Sequence, residues 1–166
     1  MRKKIGTYDA MRETLDRLGK EGLLLATGKQ ANPMTIGWGT IGRIWGRRVF
    51  IVLVRPTRYS FSLLEALPEF SVNVPTDDLR KTVAFCGSKS GRDVDKISEY
   101  NLGLIPGESI SVPTIQECSI QYECKVIHKS NVINGDLDPA IVAGSYAGGD
   151  FHRVYYGEIL NVYQAE

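Results

Sequence analysis

The run Arg48-Val49-Phe50-Ile51-Val52-Leu53-Val54 narrows the possible folds more than any other feature of this chain. Both alternating faces of such a strand are apolar, so it must be covered on two sides. Leu23-Leu24-Leu25-Ala26-Thr27 reads as another buried strand, and Met34-Thr35-Ile36-Gly37-Trp38 alternates as a third. Phe70, Val72 and Val74 alternate with Ser71 and Asn73, which predicts a half-buried strand stopped at Pro75. Gly46-Arg47-Arg48 is the expected hairpin turn.

Helical signals interrupt these strands. From Thr7 to about Lys20, Met11, Leu15 and Leu18 share one face, with Gly19 and Gly22 bracketing the end. Thr57 is placed to cap a helix from Arg58 to Ala66, which Pro68 stops. Leu79, Val83 and Cys86 recur at helical spacing, predicting Asp78 to Cys86 with an end near Gly87; a short helix follows Asp93, its expected cap. The C-terminal half reads mostly as strand: Ile115 to His128, the apolar run Ala140 to Tyr146, and Val154 to Tyr163. No repeat, low-complexity tract or linker divides the 166 residues. The reading is one domain, residues 1–166, mainly β with flanking helices, closing into a Greek-key-like antiparallel barrel.

Net charge is +1, which gives no support to a nucleic-acid or anionic-membrane partner drawn by bulk electrostatics. The apolar stretch Gly22 to Ala26 is far too short to span a bilayer. Three cysteines and no leader-like start point to a reducing, cytoplasmic setting. Cys118 and Cys124 lack the companion ligands of a zinc site, so no metal is expected.

Chemistry concentrates in three stretches. Arg55-Pro56-Thr57-Arg58-Tyr59-Ser60 joins a strand to a helix start, offering unpaired amides, hydroxyls and two guanidinium forks to an anion. A capped helix with two solvated arginines is the plainer alternative. Cys86-Gly87-Ser88-Lys89-Ser90-Gly91-Arg92-Asp93-Val94-Asp95-Lys96 could form an anion-binding nest around Gly87 and Gly91, or simply a polar connection. In Asn32-Pro33-Met34-Thr35-Ile36-Gly37-Trp38-Gly39, glycines inside a strand suit either a barrel corner or the close approach of a flat ring, flanked by Trp38 or Trp45. Together these are the requirements of a planar ligand carrying a phosphate. His152 is a weak candidate for a catalytic acid at the ligand's edge, and His128 reads as a surface residue.

The order and wording of these stretches, followed by Asp150-Phe151-His152-Arg153 and Tyr156-Gly157-Glu158-Ile159, resemble the flavin reductase-like, flavoredoxin-type family from about Leu23 to the C-terminus. The resemblance implies a homodimeric split β-barrel that binds FMN. It implies that Asn32, Met34, Thr35, Ile36 and Gly37 border the flavin ring, and that Arg55, Thr57, Arg58, Tyr59 and Ser60 serve the ring edge, the ribityl chain and the phosphate. Cys86, Gly87, Ser90, Gly91, Arg92 and Lys96 close the phosphate side, and His152 faces the flavin. It assigns no site residue between Glu108 and Gly149, where the motif departs from the pattern. The implied activity is reduction of a flavin, a ferric complex or a redox protein by NAD(P)H through bound FMN. An FMN electron carrier without nicotinamide activity is a second possibility, and a flavin-free interaction domain of the same fold is a third. The dinucleotide-binding glycine fingerprint is missing, so a nicotinamide substrate would bind transiently over the flavin.

Overall fold

A computed structural model describes all residues, 1–166. Its strands are β1 (Arg2–Lys4), β2 (Leu23–Thr27), β3 (Asn32–Ile36), β4 (Gly39–Ile44), β5 (Arg47–Val54), β6 (Glu69–Val74), β7 (Leu104–Ile105), β8 (Thr114–Ile115), β9 (Ile120–Asn131) and β10 (Arg153–Ala165). The helices are α1 (Met11–Leu18), α2 (Tyr59–Ala66), α3 (Arg80–Ser88), α4 (Lys96–Glu99) and α5 (Pro139–Ser145).

The main sheet is antiparallel in the order β3-β2-β6-β9-β10-β5-β4, with β1 added along β10 and β7–β8 a separate pair. Its two edge strands, β3 and β4, are consecutive in sequence and joined only by Gly37 and Trp38. Three Cα–Cα steps span at most about 11 Å, so the sheet must curl until its edges meet. They meet without pairing, and the result is a split β-barrel with its seam at Gly37–Trp38.

Burial explains the strand sequences. Leu23, Leu25, Phe50, Val52, Phe70, Val72 and Tyr122 fill the barrel. Leu24, on the opposite face of β2, packs outside with Val83, Cys86, Leu102, Ile115 and Cys118, while Ala26 meets Ile110 and Val112. The strand β6 is buried on both faces rather than half-buried. Its polar residues are satisfied by the overlying segment: Ser71 Oγ donates to the Pro113 carbonyl at 2.8 Å, and Asn73 Oδ1 accepts from the Ile115 amide at 2.9 Å. Residues 102–118 thus serve as the barrel's outer cover.

Several local readings shift. The β4–β5 turn is Trp45–Gly46, both with positive φ (52° and 70°), a two-residue turn whose twist suits a hairpin; it lies ahead of the expected Gly46–Arg48. The N-terminal helix is shorter than the Thr7–Lys20 pattern. A 3-10 turn at Asp77–Leu79 delays α3 to Arg80. Thr57 does not cap α2: Arg58 holds that position, and the Thr57 hydroxyl donates to Asp150 Oδ2 at 2.7 Å. Asp95, not Asp93, caps α4, accepting from the Ile97 and Ser98 amides. Ala140–Tyr146 is not strand but mostly helix α5. Asp138 Oδ1 accepts from the Ala140 amide at 2.8 Å and Pro139 occupies the first turn, a helix start that outweighs apolar content.

Candidate functional site

Two hollows adjoin at the barrel seam. The first, about 210 Å³, is walled by Met34, Thr35, Ile36, Gly37 and Trp38 along β3 and the seam, by Leu53 and Arg55 at the end of β5, and by Arg58, Gly87 and His152. The second, about 100 Å³, lies between the β5–α2 turn (Thr57, Arg58, Tyr59, Ser60) and the stretch after α3 (Cys86, Gly87, Lys89, Ser90, Gly91, Arg92), with Asn32, Met34 and Lys96 completing it. Met34, Arg58 and Gly87 belong to both. Every residue that the family resemblance assigns to the site therefore borders one hollow or the other.

The smaller hollow is built for an anion. Lys96 is only 3% exposed, and its ammonium donates to the Pro33 and Cys86 carbonyls, each at 2.9 Å. No carboxylate meets it, and none of the chain's ion pairs uses Arg58, Lys89, Arg92 or Lys96. A buried cation without a counter-charge is costly, and here burial pulls the ammonium pKa down. Other donors line the hollow: Asn32 Nδ2 donates to Ser60 Oγ at 3.2 Å, and the Arg92 guanidinium donates to the Thr57 carbonyl at 3.1 Å. Arg92 also lies 5.4 Å from the Tyr59 ring centre. Surplus positive charge, hydroxyls and the free end of α2 fit a phosphate monoester.

The glycines act differently from the expected nest. Neither Gly87 nor Gly91 has positive φ, and Gly87 lies within α3. Gly91 is needed for close approach, because a Cβ there would collide with the Asn32 amide and come within 2.9 Å of the Tyr59 ring. Gly37 has open space where a side chain would be, which leaves its backbone bare to the larger hollow. Gly39 is required by the barrel instead: its Cβ would come 2.6 Å from the Ile51 carbonyl oxygen. Cys86 turns its thiol into the outer core, where burial pushes its pKa up to about 11, and offers the site only its backbone.

Arg55 borders the larger hollow, but its guanidinium is occupied. It donates to the carbonyls of Ser145 and Asp150, both at 2.8 Å, and to that of Gly149 at 3.4 Å. This clamp seats the turn that carries His152. His152 Nδ1 lies 2.6 Å from the Tyr146 hydroxyl, and its ring sits 5.2 Å from that of Trp38. Burial, with Arg55 and Arg58 nearby, drives the imidazole pKa down to about 4 against the opposing pull of Asp150. Trp45 is elsewhere, packed on His128 and Tyr156.

Sequence reasoning missed three participants. Leu53 shares strand parity with Arg55, and that spacing could have found it. Asp150, quoted only as part of the Asp150–Arg153 stretch, and Tyr146 join the site through the clamp, and no local pattern gives either a role there.

The model of the flavin reductase like domain matches residues 16–166 of this chain. An uncharacterized protein of Archaeoglobus fulgidus is 30% identical over 140 residues, which cover 84% of this chain and 69% of that protein. The solved flavoredoxin of Methanosarcina acetivorans has a TM-score of 0.68 at 26% identity, covering 87% of this chain and 68% of its own. An FMN-binding protein from Thermus thermophilus, solved with p-hydroxybenzaldehyde bound, has a TM-score of 0.67 at 21% identity over 87% of this chain and 71% of its own, a likeness of fold alone. With the family's model matching from α1 to the last strand, and a barrel split at the seam where the two hollows lie, this chain belongs to the flavin reductase like domain family.

Proposed function

We propose that the chain is an FMN-dependent oxidoreductase that takes hydride from NAD(P)H and passes electrons to a flavin, a ferric complex or a redox protein. One observation carries the reading: a buried lysine ammonium without a carboxylate closes a donor-rich hollow that shares Met34, Arg58 and Gly87 with the larger hollow at the seam. Lys96, Arg58, Arg92, Ser60 and Ser90 would hold the phosphate, and Met34 to Gly37 would lie along the ring through their backbone. When bound, FMN supplies the hydride chemistry itself. The residues bind and orient it, and Trp38 and His152 bound the space where a second molecule would approach.

Titration of FMN by fluorescence quenching, with riboflavin as control, tests this reading. FMN should bind at least a hundredfold more tightly, since two lost charge-assisted bonds are each worth roughly 1.5–3 kcal/mol. Absence of measurable FMN affinity overturns it. A carrier without nicotinamide activity is favoured by Trp38, 48% exposed beside the larger hollow, where a redox partner could dock. Anaerobic mixing with NADH and then NADPH separates the two: rapid bleaching of the flavin band marks the reductase, and an unchanged band marks the carrier.

We further propose a homodimer acting in a reducing, cytoplasmic compartment. Support comes from α5, which buries no residue of its own, from exposed Trp38, Trp45, Ile133 and Ile141, and from three free thiols, all buried. Light scattering that finds only monomer at micromolar concentration would refute the dimer.

A further inference from the structure

Tyr146 follows α5 and is 5% exposed. Its ring stacks on Phe151 at 4.7 Å and meets Trp38 edge-on at 6.4 Å, with the Arg55 guanidinium 5.0 Å from its centre. The hydroxyl has one side-chain partner, His152 Nδ1. Two proton arrangements are possible across this bond. If Nδ1 carried hydrogen and donated, the phenol's own hydrogen would find no acceptor within the protein at this part-buried site, which is unfavourable. If the phenol donates, Nδ1 accepts and the ring's hydrogen sits on Nε2. The charged imidazolium fits worse still. Arg55 and Arg58 both face it, only Asp150 offsets them, and Arg153 turns away toward Glu65. Nε2 has no partner within the protein, and His152 borders the larger hollow.

We infer that Tyr146 is a positioning residue that holds His152 as the neutral Nε2–H tautomer, giving the cavity a fixed, uncharged donor for the carbonyl oxygen of the molecule that enters it. The ligand class is a small planar molecule with such an oxygen, either a carboxamide or an aldehyde or ketone. This assignment rests on the proposed flavin reading only for what happens to that molecule; the tautomer stands without it.

Two-bond 1H–15N spectra of uniformly 15N-labelled protein test the assignment, first flavin-free and then FMN-loaded. The chain has two histidines, so the His128→Gln variant assigns the signals. At pH 7 the expected pattern for His152 is an acceptor-type Nδ1 and a protonated Nε2. Tyr146→Phe keeps the stacked ring but removes the donor. It should introduce a population protonated at Nδ1. In FMN-loaded protein, benzaldehyde or nicotinamide should perturb Nε2–H, whereas styrene, which has a methylene in place of the carbonyl oxygen, should not. Whichever of the two binds identifies the source of the carbonyl, and it should bind about tenfold more weakly to Tyr146→Phe. A wild-type Nδ1–H or imidazolium signal at pH 7 overturns the inference, and that reading stands even if the variant fails to fold. An unchanged spectrum in a folded Tyr146→Phe, or equal perturbation by styrene, also overturns it. Loss of FMN binding alone would sink the flavin reading and leave the flavin-free tautomer result in place.

Discussion

Lys96 and Arg58 show how two cations of one hollow divide its work. Lys96 ties the Pro33 and Cys86 carbonyls together from a buried position, so it is both a brace and a charge. Lys96→Met should weaken FMN by about tenfold to a hundredfold, the worth of one charge-assisted bond, and lower thermal stability as well because two carbonyls lose their donor. Calorimetry and FMN titration read both effects. Arg58 makes no ion pair and is exposed between the two hollows. Arg58→Ala should therefore weaken FMN by a similar factor while sparing riboflavin and the melting temperature. Equal weakening of both ligands would make Arg58 a packing residue.

At the scale of elements, the connection from β9 to β10 is the part least like its sequence reading. Its apolar run forms α5 because Asp138 and Pro139 start a helix, and nothing from α5 enters the core. What seats the following turn is Arg55, reaching from the end of β5 to three carbonyls. Arg55→Ala should release residues 145–152, seen as lost hydrogen-exchange protection there while the barrel amides keep theirs. On β10, Gly157 faces the Phe70 ring across the barrel wall, and a Cβ there would also come 2.9 Å from that of Cys124. Gly157→Ala should cost about 1–3 kcal/mol by overpacking. That cost should appear as a lower urea midpoint with an unchanged slope.

For the molecule as a whole, pH dependence separates the site from the scaffold. The folded-state pKa of His152, about 4, lies below its unfolded value near 6.5, so the unfolded chain binds the extra proton first. Stability from this group is complete above about pH 6.5 and is lost as pH falls toward 4. Glu21, Glu65, Asp77 and Asp95 are also depressed, but their losses begin only as pH falls below about 5, into the ordinary carboxylate range. Chemical denaturation from pH 7.5 to 5 should show a decline in the wild type that flattens in His152→Gln. A decline that persists in the variant would place the titrating group elsewhere.

The sequence by itself determined the barrel's central strands, because Leu23–Thr27 and Val49–Val54 carry burial in their own composition and Phe70–Val74 carries strand alternation. It also marked out most of the residues that border the two hollows, because they lie in three short contiguous stretches. The tertiary structure alone decided the rest. The curl of the sheet into a split barrel follows from two edge strands joined by Gly37–Trp38, a consequence of strand order rather than of any local pattern. Lys96 becomes a buried cation, Arg55 a clamp and Tyr146 the partner of His152 only once distant segments meet. Local propensity is written in neighbouring residues, but a hydrogen bond across the barrel depends on where the whole chain brings its two ends.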